Sequence, residues 1–151
     1  MATLHRYVPG IAITAATLTL VGAAQRSSPS ASYRGWSGYG GAADLVTTAK
    51  HRPVFLEMWK DLIPGFEARR DEILRERSAV HWADKINVPL LLMHGGADWR
   101  VPTGETLALA QKLQELGKTY ELIIYANDDH RLSANRADST QRTIEWFRKH
   151  M

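Results

Sequence analysis

One stretch of the sequence restricts the fold more than any other. Val88-Pro89-Leu90-Leu91-Leu92-Met93 is an unbroken apolar run that ends at His94-Gly95-Gly96. A strand with one face in water alternates apolar and polar residues. A run without alternation, stopped by glycines, suits a strand buried on both faces of a parallel sheet. Thr103 to Leu116 then reads as an amphipathic helix. Thr103 is its expected cap, Leu107, Ala110, Leu113 and Leu116 its apolar stripe, and Gly117 its stop. Thr119 to Tyr125 reads as a second strand with Leu122-Ile123-Ile124 at its core. Asn127 to His130 reads as a loop, and Arg136 to His150 as a closing helix with Ile144, Trp146 and Phe147 inward. Strand, helix, strand, helix in this order predicts a parallel βαβα unit, hence an α/β protein with helices on both faces of the sheet.

Upstream, Pro53 to Lys60 is expected to be a short helix with Val54, Met58 and Trp59 on its apolar side, ended by Leu62-Ile63-Pro64-Gly65. Glu67 to Arg77 reads as a solvated surface helix whose only large apolar residues are Ile73 and Leu74. Residues 1–43 differ in kind. They are rich in Ala, Ser, Thr and Gly and keep no helical or alternating period. They also hold Arg6, Arg26 and Arg34 with no acidic residue, so the whole net charge of +3 arises there and the remainder is neutral. That distribution argues against a basic nucleic-acid-binding face. Val8 to Ala24 is interrupted by Pro9, Gly10 and threonines and makes a poor membrane span.

Three readings of this segment stay open: a secretory signal ending near Gly22-Ala23-Ala24, a transit peptide, or a stretch not native to the domain. The expected division is an atypical segment over 1–38 and a domain over 39–151. A cytoplasmic location is preferred, with secretion the alternative if residues 1–24 act as a signal. The absence of cysteine excludes disulfides, a thiol nucleophile and zinc–thiolate sites.

In open parallel sheets, working residues lie in the loops at the carboxyl ends of strands. Two loops qualify, His94 to Pro102 and Ala126 to His130. Adjacent parallel strands lie about 4.8 Å apart, so Asp98 and His130 can meet across them. An aspartate that orients a histidine is two thirds of a nucleophilic triad, and acid before histidine fits the chain order Ser, Asp, His of α/β-hydrolases. Taken singly, Asp98 also reads as a turn former or helix cap and His130 as a solvated loop residue. His94 reads as a strand-end packing residue, and His51 and His81 as surface or partner-facing residues. Asp128 and Asp129 lack the spacing of a cation loop.

The stretch from Arg77-Ser78-Ala79-Val80 through Asn87-Val88-Pro89-Leu90-Leu91-Leu92-Met93-His94-Gly95-Gly96-Ala97-Asp98-Trp99-Arg100-Val101-Pro102 strongly resembles the carboxyl-terminal part of the prolyl oligopeptidase family of serine peptidases. Gly117-Lys118-Thr119-Tyr120-Glu121-Leu122 is similar to that family's link into its last strand, and Trp146-Phe147 to the aromatic end of its final helix. Arg131 stands where the family usually has Gly after the histidine, and Asn127-Asp128 replaces the more usual Pro-Gly. The resemblance covers about Tyr39 to Met151. It implies a partial α/β-hydrolase fold, a three-layer αβα fragment in which Asp98 and His130 are catalytic acid and base.

The resemblance also requires a serine in a G-x-S-x-G elbow, and none is visible. Gly35-Trp36-Ser37-Gly38-Tyr39 is the nearest literal match, with Tyr39 at the fifth position and no strand before it, so Ser37 is a weak candidate. Counting back from Asp98 by the family's usual interval lands near residues 8–18, where a shifted reading frame would account for the missing Gly-His-Ser. The expected function is therefore a serine-type peptidase, here a truncated carboxyl-terminal portion that is inactive as written. Its expected partner is a peptide or acyl substrate, with no cofactor, metal, nucleic acid or membrane; the oligomeric state is left open. The alternatives are a non-catalytic remnant acting as a binding module, and an esterase-type α/β-hydrolase.

Overall fold

The computed structural model describes residues 36–39 and 41–150. Three parallel strands form one sheet in the order β1 (Trp36–Tyr39), β2 (Leu90–Gly95), β3 (Tyr120–Tyr125). Leu90 pairs with Trp36 on one side and Tyr120 on the other, so β2 is central. All six of its residues are buried, as its lack of alternation requires. The strand starts at Leu90, because Pro89 has no N–H for the ladder. Val88 is accordingly only half-buried, against the expectation of full burial.

The pleat of β2 divides its side chains between two layers. Leu90 and Leu92 pack with Leu109, Ala110 and Leu113 of helix α4 (Thr103–Glu115) and with Ala79, Trp82, Ala83 and Ile86 from the turns before the strand. Leu91 and Met93 point the other way, onto Leu132 and onto Trp146 of helix α5 (Arg136–His150). A third cluster stands apart from the sheet. Ala49 of α1 (Leu45–His51), Phe66, and Ile73 and Leu74 of α3 (Arg70–Glu76) enclose it, with Leu56 and Trp59 of α2 (Val54–Leu62) against them.

Several helix faces differ from the expected ones. In α2 the inward residues are Leu56 and Trp59, while Val54 and Met58 are exposed. Phe55 stacks on Trp59 at 5.6 Å, which fixes this rotation. Residues 67–77 are not one solvated helix: a 3₁₀ turn, Glu67–Arg69, leads into α3, and Ile73 and Leu74 are buried. In α4 the buried face is Glu105, Thr106, Leu109, Ala110 and Leu113, and Leu107 and Leu116 face solvent. The face is rotated because two polar residues are buried for their hydrogen bonds. Thr103 does not cap α4; its hydroxyl donates to the carbonyl of Gly95, and Pro102 occupies the cap position. In α5, Trp146 is buried and Ile144 is exposed.

Candidate active site

The loop after β2 turns sharply at Gly95-Gly96. A Cβ on Gly95 would overlap the carbonyl oxygens of Asp128 and Asp129, and one on Gly96 would overlap that of Ala126. Glycine at both positions therefore lets the loop after β3 lie directly on the loop after β2. Backbone hydrogen bonds close the contact: Gly96 N–H donates to Tyr125 O at 2.7 Å and Ala97 N–H to Asp128 O at 3.0 Å.

Asp98 stands at the centre of this junction, with its side chain fully buried. Its Oδ1 accepts from the N–H groups of Arg100 at 2.8 Å and Val101 at 3.1 Å, the turn-forming habit of aspartate. Its Oδ2 lies 2.8 Å from His130 Nδ1 and 3.2 Å from His94 Nε2. A carboxylate only accepts, so His130 Nδ1 carries the proton and, in the neutral ring, Nε2 is the basic nitrogen. Burial opposes the charged form of Asp98. The donors from His94 and His130 and the N–H groups of Val101 and Arg100 outweigh it and hold the carboxyl well below the usual carboxylate range.

His130 is carried by a loop that two aspartates organise. Asp128 accepts from the N–H groups of Asp129, Ala134 and Asn135 and from the Asn135 side chain. Asp129 accepts from the N–H groups of Arg131 and Ser133 and from the Ser133 hydroxyl. Leu132 lies among them at φ 52°, in the left-handed region, with its side chain buried on Leu91, Met93 and Trp146. That plug holds the chain two residues beyond His130.

His94 has more to do than the strand-end packing the sequence suggested. It is fully buried, its Nε2 lies 3.0 Å from the carbonyl of Val101, and its Nδ1 lies 2.7 Å from the Thr106 hydroxyl. Glu105, the neighbour of Thr106 on α4, is also buried. It accepts from Asp44 N–H at 3.0 Å and from the Thr48 hydroxyl at 2.8 Å, tying α1 to α4. Burial, the strongest influence on it, pushes its carboxyl up. The signal that sequence inspection passed over is spacing: a histidine four residues before an aspartate across a Gly-Gly turn.

Trp99 is 61% exposed beside Asp98. The Arg52 guanidinium lies 5.0 Å from its ring and 4.9 Å from that of Phe55, and Arg100 lies 5.1 Å from Trp99. His51 Nε2 donates to the Trp99 carbonyl at 3.3 Å, and His81 is exposed. Ser37 lies within β1, opposite Leu91, and not at a turn between a strand and a helix. Residues 8–18, where the family's usual interval places the elbow, lie outside the described residues.

Residues 19–151 match the family model described as the prolyl oligopeptidase family. The match reaches further toward the amino terminus than Tyr39. The chain is 30% identical over 108 residues to an uncharacterized peptidase of Bacillus subtilis, covering 72% of this chain and 41% of that one. It is 32% identical over 78 residues to acylamino-acid-releasing enzyme 2 of Oryza sativa subsp. japonica, covering 50% of this chain and 10% of the enzyme. The chain thus spans about two fifths of the first of these relatives and a tenth of the second. Among solved structures, the acylaminoacyl peptidase of Pyrococcus horikoshii superposes with a TM-score of 0.73 at 22% identity, covering 89% of this chain and 22% of that one.

Proposed function

The chain belongs to the prolyl oligopeptidase family, with part of an α/β-hydrolase fold, and on that premise we propose that it is the carboxyl-terminal portion of a serine-type peptidase domain, with Asp98 and His130 as acid and base. One observation carries this reading: Asp98 Oδ2 accepts from His130 Nδ1 at 2.8 Å, where the carboxyl ends of two adjacent parallel strands meet. The bond fixes the tautomer that leaves Nε2 as base. In acyl transfer Nε2 takes the proton of a serine hydroxyl as its oxygen attacks the substrate carbonyl. The buried Asp98 carboxylate stabilises the imidazolium so formed. The imidazolium then gives its proton to the departing amine or alcohol, and the acyl-enzyme is released by water through the same base. The nucleophile is unassigned; with Ser37 inside a strand, the chain as written is expected to be inactive or nearly so.

The test uses the purified chain with chromogenic acyl esters and short peptide amides. Whatever turnover is present should vanish in His130→Ala. Turnover that survives this substitution overturns the assignment of His130 as base.

A further inference from the structure

We propose that His94 is a positioning residue for the Asp98–His130 pair, clamping the carboxylate to the loop that carries it. The proposal rests on the reading of Asp98 and His130 as acid and base. Three contacts bear on it. The Val101 carbonyl, 3.0 Å from Nε2, can only accept, so Nε2 carries a proton. The same Nε2 lies 3.2 Å from Asp98 Oδ2, so the N–H held toward Val101 sits beside the carboxylate oxygen as well. On the far side, Thr106 meets Nδ1 at 2.7 Å and stops the ring from turning. One imidazole thus ties the acid's side chain, the loop backbone at Val101 and helix α4 into one unit.

A packing role alone does not account for this arrangement. A buried imidazole costs desolvation, and phenylalanine would fill the space without that cost. Asp98 already has two backbone donors on Oδ1. Both histidines address the other oxygen, Oδ2, so His94 holds it from behind while His130 faces it from the solvent side, its side chain 23% exposed. The titratable groups that face Asp98 are His94 from β2 and His130 from the loop after β3; Arg100 of its own loop meets it through the backbone N–H, with the guanidinium over Trp99. Glu105 on α4 stands next to Thr106, which holds His94 Nδ1. Glutamine can place an amide N–H where Nε2 sits; phenylalanine cannot.

The experiment follows two signals by NMR in the full chain: the Asp98 side-chain carboxyl carbon through an acid titration, and the His130 Nδ1 proton at neutral pH. In His94→Phe the Asp98 midpoint should rise by about one pH unit, a roughly tenfold gain in proton affinity. His94→Gln should restore most of the wild-type value. A folded His94→Phe variant with an unmoved Asp98 midpoint overturns the proposal, as does failure of glutamine to rescue. If His94→Phe does not fold, Thr106→Val keeps the imidazole and removes its anchor. A smaller upward movement is then expected, and none overturns the proposal. Asp98→Asn tests the underlying pair separately. It should abolish the downfield His130 proton signal, and persistence of that signal removes the acid–base pairing itself rather than the role of His94.

Discussion

His130 and Asp98 are 32 residues apart in the chain and bonded at 2.8 Å, and Gly95 is what lets them meet. The carbonyls of Asp128 and Asp129 occupy the space that a side chain at position 95 would need. The catalytic geometry proposed for this chain is therefore limited by backbone contact between two loops, beneath the level of the side chains that make the bond.

Gly95→Ala should force those loops apart. The overlap is with backbone rather than with a flexible side chain, so relief requires the His130 loop to move. We expect a loss of about 1–3 kcal/mol in denaturant unfolding. The hydrogen-bonded His130 Nδ1 proton should also disappear from the NMR spectrum. Retention of that signal in Gly95→Ala would show that the loops can slide without parting the pair.

Asp98→Asn should cost on the order of 1–3 kcal/mol at neutral pH, since hydrogen bonds to a buried charge are lost. The folded carboxyl lies below its unfolded value of about 3.9. Its contribution is therefore complete above that pH and is lost as pH falls through the folded value. The gap between wild type and variant should narrow as the pH falls below about 4, the unfolded carboxyl value. Urea unfolding at a series of pH values measures this directly, and a gap that stays unchanged into strong acid would contradict it.

Glu105 predicts the opposite sign. Burial raises its folded carboxyl above the unfolded value of about 4.3. Folded protein then holds this proton more tightly, so stability from this group is greatest in acid and declines as pH rises through the folded value. Glu105→Gln removes the titration. Its amide can still accept from Asp44 N–H with its oxygen and donate to the Thr48 hydroxyl with its nitrogen. The variant should be at least as stable as wild type at neutral pH, with a flatter stability profile between pH 4 and 8. A loss of stability at pH 7 would show that the carboxylate's charge is favourable where it sits.

Leu132→Ala should destabilise the loop that carries His130. Leu132 is 1% exposed and packs on both sheet and helix. Its left-handed backbone at φ 52° is held there by that burial. Truncation should cost about 2–5 kcal/mol, measured by thermal or urea unfolding.

What was legible in the sequence followed the apolar residues, and what was missed followed buried polar ones. β2 is plain because Leu90 to Met93 is buried on both faces and so lacks alternation. Asp98 and His130 are legible because each follows a strand. The inward face of α4 is not, because Glu105 and Thr106 are buried as hydrogen-bond partners of Thr48 and His94, and no apolar pattern marks them. Leu107 and Leu116 look inward by composition and lie outside. His94 falls in the same class, since its role exists only once Thr106, Val101 and Asp98 surround it. The strand at Trp36–Tyr39 is short and holds two small residues, and only its pairing with β2 identifies it.

Ser37 gives the sharpest prediction about activity. Its backbone lies in the ladder of β1 opposite Leu91, whereas a nucleophile elbow needs a tight turn that lifts the hydroxyl above the strand end. The triad works as a unit, and a serine protease without its nucleophile loses on the order of a million-fold in turnover. The purified chain should therefore hydrolyse acyl esters only at a residual rate, through general-base activation of water by His130. Ser37→Ala should leave that rate unchanged, and a serine-directed phosphonate should not label the chain. Robust turnover abolished by Ser37→Ala would make Ser37 the nucleophile. Robust turnover untouched by Ser37→Ala but lost in His130→Ala would place a nucleophile elsewhere in the first 43 residues. Mass spectrometry of the phosphonate adduct would then identify the serine.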